Sequence, residues 1–158
     1  MFRRPSKGKY EGSAKMKRKL ILRGRGCCQG IAEGEALVSQ EPFGFWQGID
    51  PETGIIINQR HDLAGQSITG KIFVFPYGRG STGTPGIFME AVRNGKGPAA
   101  IINLKSEPMI IVCALLAEEF LKKQIPVVDG LNQNPMKIIK MGDKLRVNGN
   151  TGEVEILP

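Results

Sequence analysis

The sequence predicts one mixed α/β domain with a β-rich first half, and three observations support this prediction. The chain has 158 residues, of which 41% are hydrophobic, enough to build the core of one domain of ordinary size. Its 21 glycines and ten prolines cluster around short apolar runs, which indicates many turns and does not fit a helix bundle. In the middle of the chain, apolar runs of strand length alternate with two stretches of helical periodicity.

The first half is predicted as short strands separated by loops. Lys19–Leu22 is a short apolar run that fits an edge strand, and Ile31–Ser39 alternates well enough to form another strand. Between them, the GRGCCQG stretch of Gly24–Gly30 is predicted as a turn-rich loop. A loop rich in aromatic residues follows at Phe43–Gly54, and Ile55–Asn58 is predicted as a short strand.

The segment that follows is predicted as strand, glycine-rich turn and helix. Gln66–Phe75 contains KIFVF, a run of high β propensity. YGRGSTGTPG, Tyr77–Gly86, has the composition of a turn. Gly86–Asn94 has helical periodicity, and Gly95 fits the left-handed residue that ends a helix.

The last third of the chain continues the alternation and then closes in a hairpin. Pro98–Leu104 and Ile125–Val128 are predicted as buried strands. The helix between them begins at Pro108, a residue suited to the first helical position, and runs to about Lys123. The final residues form a predicted β hairpin around Asn148–Gly152.

The positive charge of the chain is concentrated at its beginning. Eight of the 22 Lys and Arg residues precede Leu20, together with one of the 15 Asp and Glu residues. The other 14 cations and 14 anions cancel, so residues 20–158, which are the predicted domain (residues 19–158) without Lys19, are neutral. We expect residues 1–18 to be a solvated, disordered and dispensable tail, because they lack the interleaved aromatic residues of single-strand binders.

The sequence also bears on the compartment of the protein. No segment reaches the ~20 apolar residues of a membrane span, and no apolar stretch follows the first basic residues as it does in a secretory signal. The three cysteines, without a C-x-x-C pattern, do not make a disulfide framework. We therefore expect a cytoplasmic protein that does not contact a membrane.

The strongest chemical signal is the GRGSTG turn between a predicted strand and a predicted helix. Such a turn exposes backbone N–H groups, and together with the helix dipole they form an anion site. Ser81 lies inside the turn next to Arg79, so its hydroxyl is in a positive field that favours the alkoxide. Ser81 is therefore a candidate base, although a tight turn with two capping hydroxyls explains the same spacing.

The same region contains two sequences that resemble nucleotide-binding motifs. Gly78–Gly83 matches G-x-G-x-x-G, with Glu107 near the spacing of a ribose-binding acid, but the preceding strands make a poor dinucleotide fold. GQSITGK, Gly65–Lys71, resembles a Walker A loop, yet Ile72 replaces the required Ser or Thr. We keep dinucleotide binding as a weak alternative and reject the Walker A assignment.

No metal site is predicted on this chain. His61 is the single histidine, and a lone histidine is more often structural than catalytic. Cys27 and Cys28 are neighbours, which disfavours binding of one ion by both, and Cys113 lies in an apolar helix. An iron–sulfur cluster needs three or four thiolates, so we expect no cofactor here. Phe45 and Trp46 either line a pocket or an interface, or cover the core under a long loop.

Four stretches in one order resemble the small subunit of the aconitase X family. They are GRG-x₄-IAEGEALVS, FGFWQGIDPETGIIINQRHDLAGQSITGKIFVFP, GRGSTGTPG and NGKGPAAIINLKSEPMIIVCALLAEEFLKKQIPVV. The similarity runs from about Leu20 to Val128, and the closing hairpin fits it. It implies a swivelling β/β/α domain like the aconitase C-terminal domain, which works with a large subunit that binds a 4Fe–4S cluster.

The resemblance also implies an activity and a site. In the archaeal branch the family enzyme is a phosphomevalonate dehydratase, which converts mevalonate 5-phosphate to trans-anhydromevalonate 5-phosphate in a modified mevalonate pathway. A bacterial branch dehydrates cis-3-hydroxyproline. The family's base, the serine of GRGS, corresponds to Ser81. The expected substrate contacts, on a phosphorylated hydroxy acid, come from Arg79, Gly80, Thr82, Gly83 and Thr84.

Two unrelated functions are weighed against this one. A phosphohistidine carrier uses a related swivel fold but needs a histidine in the glycine-rich turn, where this chain has Ser81. A nucleic-acid-binding module would rest on the basic tail alone, and the neutral domain argues against it. We therefore expect a hydro-lyase subunit that is active only with its large subunit, as a heterodimer or a higher assembly.

Overall fold

The structure is a computed structural model and describes residues 19–158, so the predicted tail of residues 1–18 lies outside the described residues. The described chain forms one mixed α/β fold, as predicted. The strands are β1 (Leu20–Arg23), β2 (Arg25–Cys28), β3 (Ile31–Val38), β4 (Ile72–Val74), β5 (Ala100–Ile102), β6 (Val127–Asp129), β7 (Lys144–Asn148) and β8 (Glu153–Ile156). The helices are α1 (Thr84–Arg93), α2 (Pro108–Leu121) and α3 (Pro135–Ile138).

The eight strands follow one another in the order β1-β8-β7-β3-β4-β5-β6-β2. Strands β1 and β2 lie at opposite ends of this order, yet a single residue, Gly24, separates them in sequence. The sheet must therefore curl strongly to bring its two ends together, as in a barrel. Gly24 lies in this corner, where an added Cβ would be 2.4 Å from the Asp129 carbonyl oxygen.

The centre of the sheet is parallel, and the two longer helices make its crossovers. Strand β4 pairs in parallel with β3 and β5, and β5 pairs in parallel with β6. Each residue of β4, β5 and β6 is buried, because α1 and α2 cover one face and the rest of the sheet covers the other. The outer strands β1, β7 and β8 are antiparallel, and β7 and β8 form the predicted closing hairpin.

Two apolar clusters fill the two faces of the sheet. The cluster under α1 and α2 contains five fully buried phenylalanines, which meet edge to face or tilted at centroid distances of 4.6–6.5 Å. They are Phe43, Phe45, Phe73, Phe75 and Phe88. The second cluster lies between β4, β5, the hairpin and α3, and it is aliphatic. Two of the phenylalanines come from the loop after β3, so this loop is anchored in the core.

Two predicted elements are wrong. The glycines of Gly24–Gly30 do not make a loop, because Arg25–Cys28 forms β2 and pairs with β6 across a bulge. An added Cβ on Gly26 would lie 2.0 Å from the Gly149 carbonyl oxygen, so this glycine permits a close backbone approach. The strand predicted at Ile55–Asn58 is reduced to two isolated bridges, from Ile55 to Ser67 and from Ile49 to Ile56.

The helix starts depart from the prediction in one place. Helix α1 begins at Thr84 rather than Gly86, because Pro85 fits the first helical turn and Gly83 serves as the N-cap. Helix α2 begins at Pro108 as predicted, with Glu107 as its N-cap. Within residues 19–158, no helix is long and apolar enough to cross a membrane.

Candidate active site

The GRGSTG turn lies where strand β4 leads into helix α1. Phe43 holds the start of the turn from the side: its amide donates to the Tyr77 carbonyl at 3.1 Å, and its carbonyl accepts from the Arg79 amide at 2.9 Å. Because the Phe43 ring is buried in the aromatic cluster, these two hydrogen bonds fix the turn to the core. Ser81 therefore lies on a supported turn, two residues before the N-cap of a helix.

Ser81 is half-buried, and its hydroxyl already contacts the helix start. Its Oγ accepts a hydrogen bond from the Gly83 amide at 3.3 Å, and its carbonyl accepts from the Thr84 amide at 3.0 Å. The first of these bonds directs a partial positive charge at the oxygen, and the dipole of α1 adds to it. Both interactions stabilise a negatively charged Oγ more than a neutral one.

The turn also presents unused donors. Within residues 19–158, the amides of Gly80, Ser81 and Thr82 donate no hydrogen bond, and the guanidinium of Arg79 forms neither a hydrogen bond nor an ion pair. Successive free amides beside a guanidinium make a concave site for an anion. The turn therefore has donors for an external carboxylate or for charge that develops on Ser81.

Glu107, the N-cap of α2, lies directly behind the turn. An added Cβ on Gly80 would be 2.7 Å from Glu107 Oε1, and one on Gly78 would be 3.2 Å from Oε2. Oε1 accepts from the Met109 amide at 3.3 Å, whereas Oε2 is buried and has no partner among the described residues. Gly80 is therefore required by the carboxylate packed behind it, whereas a Cβ at Gly78 would first meet Ile110, at 2.8 Å.

We expect Gly80→Ala to lower the turnover of the assembled enzyme by about 10²-fold, because the new methyl group must displace the turn or break the Glu107 cap. Gly86→Ala is the matched control, since nothing lies within 4 Å of a Cβ at Gly86. Steady-state turnover and thermal unfolding of both variants check this expectation. Equal turnover of the two variants would contradict it.

A cavity of about 400 Å³ opens in front of Ser81. Its wall includes the indole of Trp46, which is 47% exposed and packs so closely on Gly83 that an added Cβ there would be 2.3 Å from the ring. Gln47 also lines it, with a φ of 60° that a side-chain-bearing residue rarely adopts. Phe45 and Trp46 thus divide the two predicted roles: Phe45 is core and Trp46 lines the site.

A second cavity, of about 550 Å³, adjoins the first. The two share Gly44, Asn58 and Arg79, so they form one continuous groove. The far part is lined by Arg60, His61 and Glu41. We call this combined feature the Ser81 groove; Ser81 lines its first cavity and Arg60 its second.

The structure brings part of the predicted site to the groove. Arg79, Gly80 and Ser81 line it, and Gly83 supports it through Trp46. Thr82 is exposed and lines neither cavity. Thr84 is not available to a substrate, because as the first residue of α1 it is 1% exposed and its Oγ1 is buried without a partner among the described residues.

Three residues at the site were not predicted. Asn58 and Arg60 line the groove from the loop between β3 and β4, and Glu107, at the start of α2, lies behind the turn. The Glu-Pro pair at the start of a predicted helix was a usable signal for Glu107. Nothing in the local sequence placed Asn58 or Arg60 next to Arg79, because their approach depends on the loop path.

His61 is buried, and both of its ring nitrogens lie within hydrogen-bonding distance of neighbouring groups. The Leu63 amide donates to its Nδ1 at 3.2 Å, and Nε2 lies 3.2 Å from the Pro42 carbonyl to which it donates. His61 also lies close to Glu41 and Asp62, a set that could bind a metal ion. However, Asp62 accepts from the Ser39 hydroxyl at 2.6 Å and the Gln40 amide at 2.9 Å. These side chains are therefore already used in holding the loop.

The cysteines are poor cluster ligands. Cys27 and Cys28 donate weak hydrogen bonds to different carbonyls, and Cys113 is buried in α2. Burial raises the pKa of Cys28 to about 11 and that of Cys113 to about 12, so both thiols are protonated at neutral pH. Within residues 19–158, no cysteine belongs to a group of side chains that could share a metal ion.

Comparison with known proteins gives one consistent result. The family model described as aconitase X swivel domain matches residues 21–156. The phosphomevalonate dehydratase small subunits of Methanosarcina acetivorans and Pyrococcus abyssi are 43% and 44% identical over 136 residues, which is 86% of this chain and 90% and 98% of theirs. The crystal structure of Thermococcus kodakaraensis aconitase X in its holo-form superposes with a TM-score of 0.79 at 42% identity, covering 88% of this chain and 99% of that one.

Proposed function

Because the chain belongs to the aconitase X swivel domain family, we propose that it is the small subunit of a phosphomevalonate dehydratase. It is a hydro-lyase subunit, since its curated relatives at 38–44% identity are dehydratase small subunits. The small-subunit names imply a larger partner subunit. We propose a heterodimer or a higher assembly of such heterodimers, acting on mevalonate 5-phosphate in the cytoplasm.

The observation that carries the proposal is Ser81 on a turn with free amides, open to a groove. Dehydration removes a carbon-bound proton and a hydroxide from adjacent carbons, and the C–H electrons form the new double bond. Ser81 Oγ, as the alkoxide, takes the proton. The Gly83 amide and the dipole of α1 stabilise that alkoxide before the proton arrives.

Arg79 and the free amides of the turn have a separate role in this proposal. A carboxylate next to the carbon that loses its proton becomes more electron-rich as the C–H bond breaks. A guanidinium can bind a carboxylate through two parallel hydrogen bonds, and the amides can share the additional charge. Arg79 therefore binds and orients the substrate carboxylate beside Ser81.

The departing hydroxide needs an acid, which we propose comes from the large subunit. The cysteines described here do not assemble into a cluster site. We assign Lewis-acid polarisation of the hydroxyl to a 4Fe–4S cluster on the large subunit. The groove is open on this chain, so the large subunit must also close it and exclude water.

We predict that the chain alone binds no iron–sulfur cluster, because within residues 19–158 no cysteine belongs to a group that could share a metal ion, and burial raises the pKa of Cys28 and Cys113. Anaerobic reconstitution with iron and sulfide, followed by absorbance and iron analysis, checks this. The large subunit treated in the same way is the control. A stoichiometric 4Fe–4S cluster on the isolated small subunit would contradict the proposal that the large subunit binds the cluster.

The function itself is tested with the reconstituted pair. Mevalonate 5-phosphate and cis-3-hydroxyproline are supplied separately, and the unsaturated product is followed by absorbance and mass spectrometry. We expect turnover of mevalonate 5-phosphate by the pair and none by either subunit alone. Preferential turnover of cis-3-hydroxyproline would instead assign the chain to the other kind of dehydratase in this family.

A further inference from the structure

We propose that the part of the Ser81 groove lined by Arg60 and Asn58 is a binding site for the phosphate group of the substrate. This inference rests on the proposed function, because it assigns the second anionic end of the same substrate. It places a phosphate contact on the small subunit, at a position outside the GRGSTG turn.

The groove contains two arginines that no carboxylate neutralises. Within residues 19–158, Arg23, Arg25 and Arg146 pair with carboxylates, whereas Arg60, Arg79 and Arg93 form no ion pair. Of these three unpaired arginines, Arg60 and Arg79 line the groove, and neither guanidinium forms a hydrogen bond with the described residues. Two unpaired guanidiniums that line one groove make it attractive to a molecule with two anionic groups.

Asn58 and Arg60 also supply N–H donors to the groove. Asn58 belongs to both parts of the groove, and its Oδ1 accepts from the Arg60 amide at 3.1 Å. That bond orients the carboxamide so that its NH₂ group has no acceptor among the described residues. Arg60 and Asn58 thus present N–H donors together, and a phosphate monoester has the oxygens to accept from both.

One acidic residue, Glu41, lines the same cavity as Arg60. One of its oxygens, Oε2, accepts from the Asp62 amide at 3.1 Å. Asp62 itself is engaged by Ser39 and Gln40. The charged residues that line the groove are therefore two arginines and one glutamate, which leaves a net positive charge.

The groups of the groove are distributed over its two cavities. Arg79 is two residues from Ser81 and is assigned to the carboxylate beside the reacting carbon. Arg60 lines only the second cavity, whereas Arg79 lines both. A hydroxy acid with a carboxylate at one end and a phosphate at the other can therefore lie along the groove with each anion on its own arginine.

The test compares Arg60→Ala with Arg93→Ala in the reconstituted pair at saturating large subunit. Arg93 is the matched control, because it is exposed at the end of α1, makes no ion pair within the described residues and lines neither cavity. We expect Arg60→Ala to raise the KM for mevalonate 5-phosphate about 10- to 100-fold, more than it lowers kcat. Arg93→Ala should leave both unchanged.

Inorganic phosphate supplies a second measurement that does not need turnover. Its binding to the pair, measured by calorimetry, should weaken by a similar factor in Arg60→Ala. If the wild-type pair does not dehydrate mevalonate 5-phosphate, the proposed function fails, and weaker phosphate binding by Arg60→Ala still supports this site. Unchanged KM and unchanged phosphate binding would overturn it, as would weakened subunit assembly with KM unchanged at saturation.

Discussion

Ser81→Ala should lower the turnover of the reconstituted pair by about 10²–10⁴-fold, the range that general-base catalysis contributes. The variant removes the one oxygen on the turn that accepts from the Gly83 amide and faces the groove. It leaves Gly80, Glu107 and the core unchanged, so the free energy of unfolding should fall by no more than about 1–2 kcal/mol, the scale of a lost cap.

The controls for this prediction are assembly and the neighbouring hydroxyl. Size exclusion with the large subunit shows whether Ser81→Ala still forms the complex. Thr82→Ala should retain most of the turnover, because Thr82 is exposed and lines neither cavity. If Ser81→Ala assembles and keeps more than about a tenth of the wild-type turnover, well above the expected residual activity, Ser81 is not the base.

Phe45→Ala should destabilise the fold by about 3–5 kcal/mol, the usual cost of deleting a buried aromatic ring. Phe45 is 0% exposed, and its ring lies 5.0 Å from that of Phe43 and 5.1 Å from that of Phe88, both nearly perpendicular. The cavity left behind would also loosen Phe43, which holds the GRGSTG turn. Turnover should therefore fall at temperatures where the variant is still folded.

Trp46→Ala is the matched control for Phe45→Ala. Trp46 is the adjacent aromatic residue but is 47% exposed, so its removal should cost only about 1 kcal/mol of stability. Urea denaturation followed by circular dichroism measures both variants. If Phe45→Ala is no less stable than Trp46→Ala, the aromatic cluster does not anchor the loop as we describe.

The sequence predicts the centre of the fold well, because apolar runs there alternate with helical periodicity and with Pro and Gly at the helix ends. Strand β2 was not predicted, because the glycines of this segment are typical of a turn. Their role appears only in three dimensions, where Gly26 meets the backbone of Gly149 across the curled sheet. The strand predicted at Ile55–Asn58 is wrong for the opposite reason. Its composition favours a strand, but the segment forms only isolated bridges with neighbouring residues.

Some residues of the candidate site could likewise be predicted from the sequence, and others could not. Ser81 and Arg79 are predictable because the glycine-rich turn and the helix that follows it are contiguous in sequence. Arg60 and Asn58 are not, because they reach Arg79 only through a loop whose path is fixed by Phe43 and Phe45 in the core. Thr84 is a predicted contact that the helix start buries, which follows from α1 beginning two residues earlier than expected.

The position of the groove wall has a consequence for how such enzymes diverge. Residues 39–71, between β3 and β4, supply Trp46, Asn58 and Arg60 and form no strand or helix beyond isolated bridges. Ser81, by contrast, lies on the junction of a buried strand and a helix. Although Phe43 and Phe45 anchor this loop in the core, Trp46, Asn58 and Arg60 are exposed, and substitutions at exposed loop positions cost a fold less than substitutions in packed elements. Evolution can therefore alter the loop to accept substrates of another shape or charge while the proton-abstracting serine keeps its place.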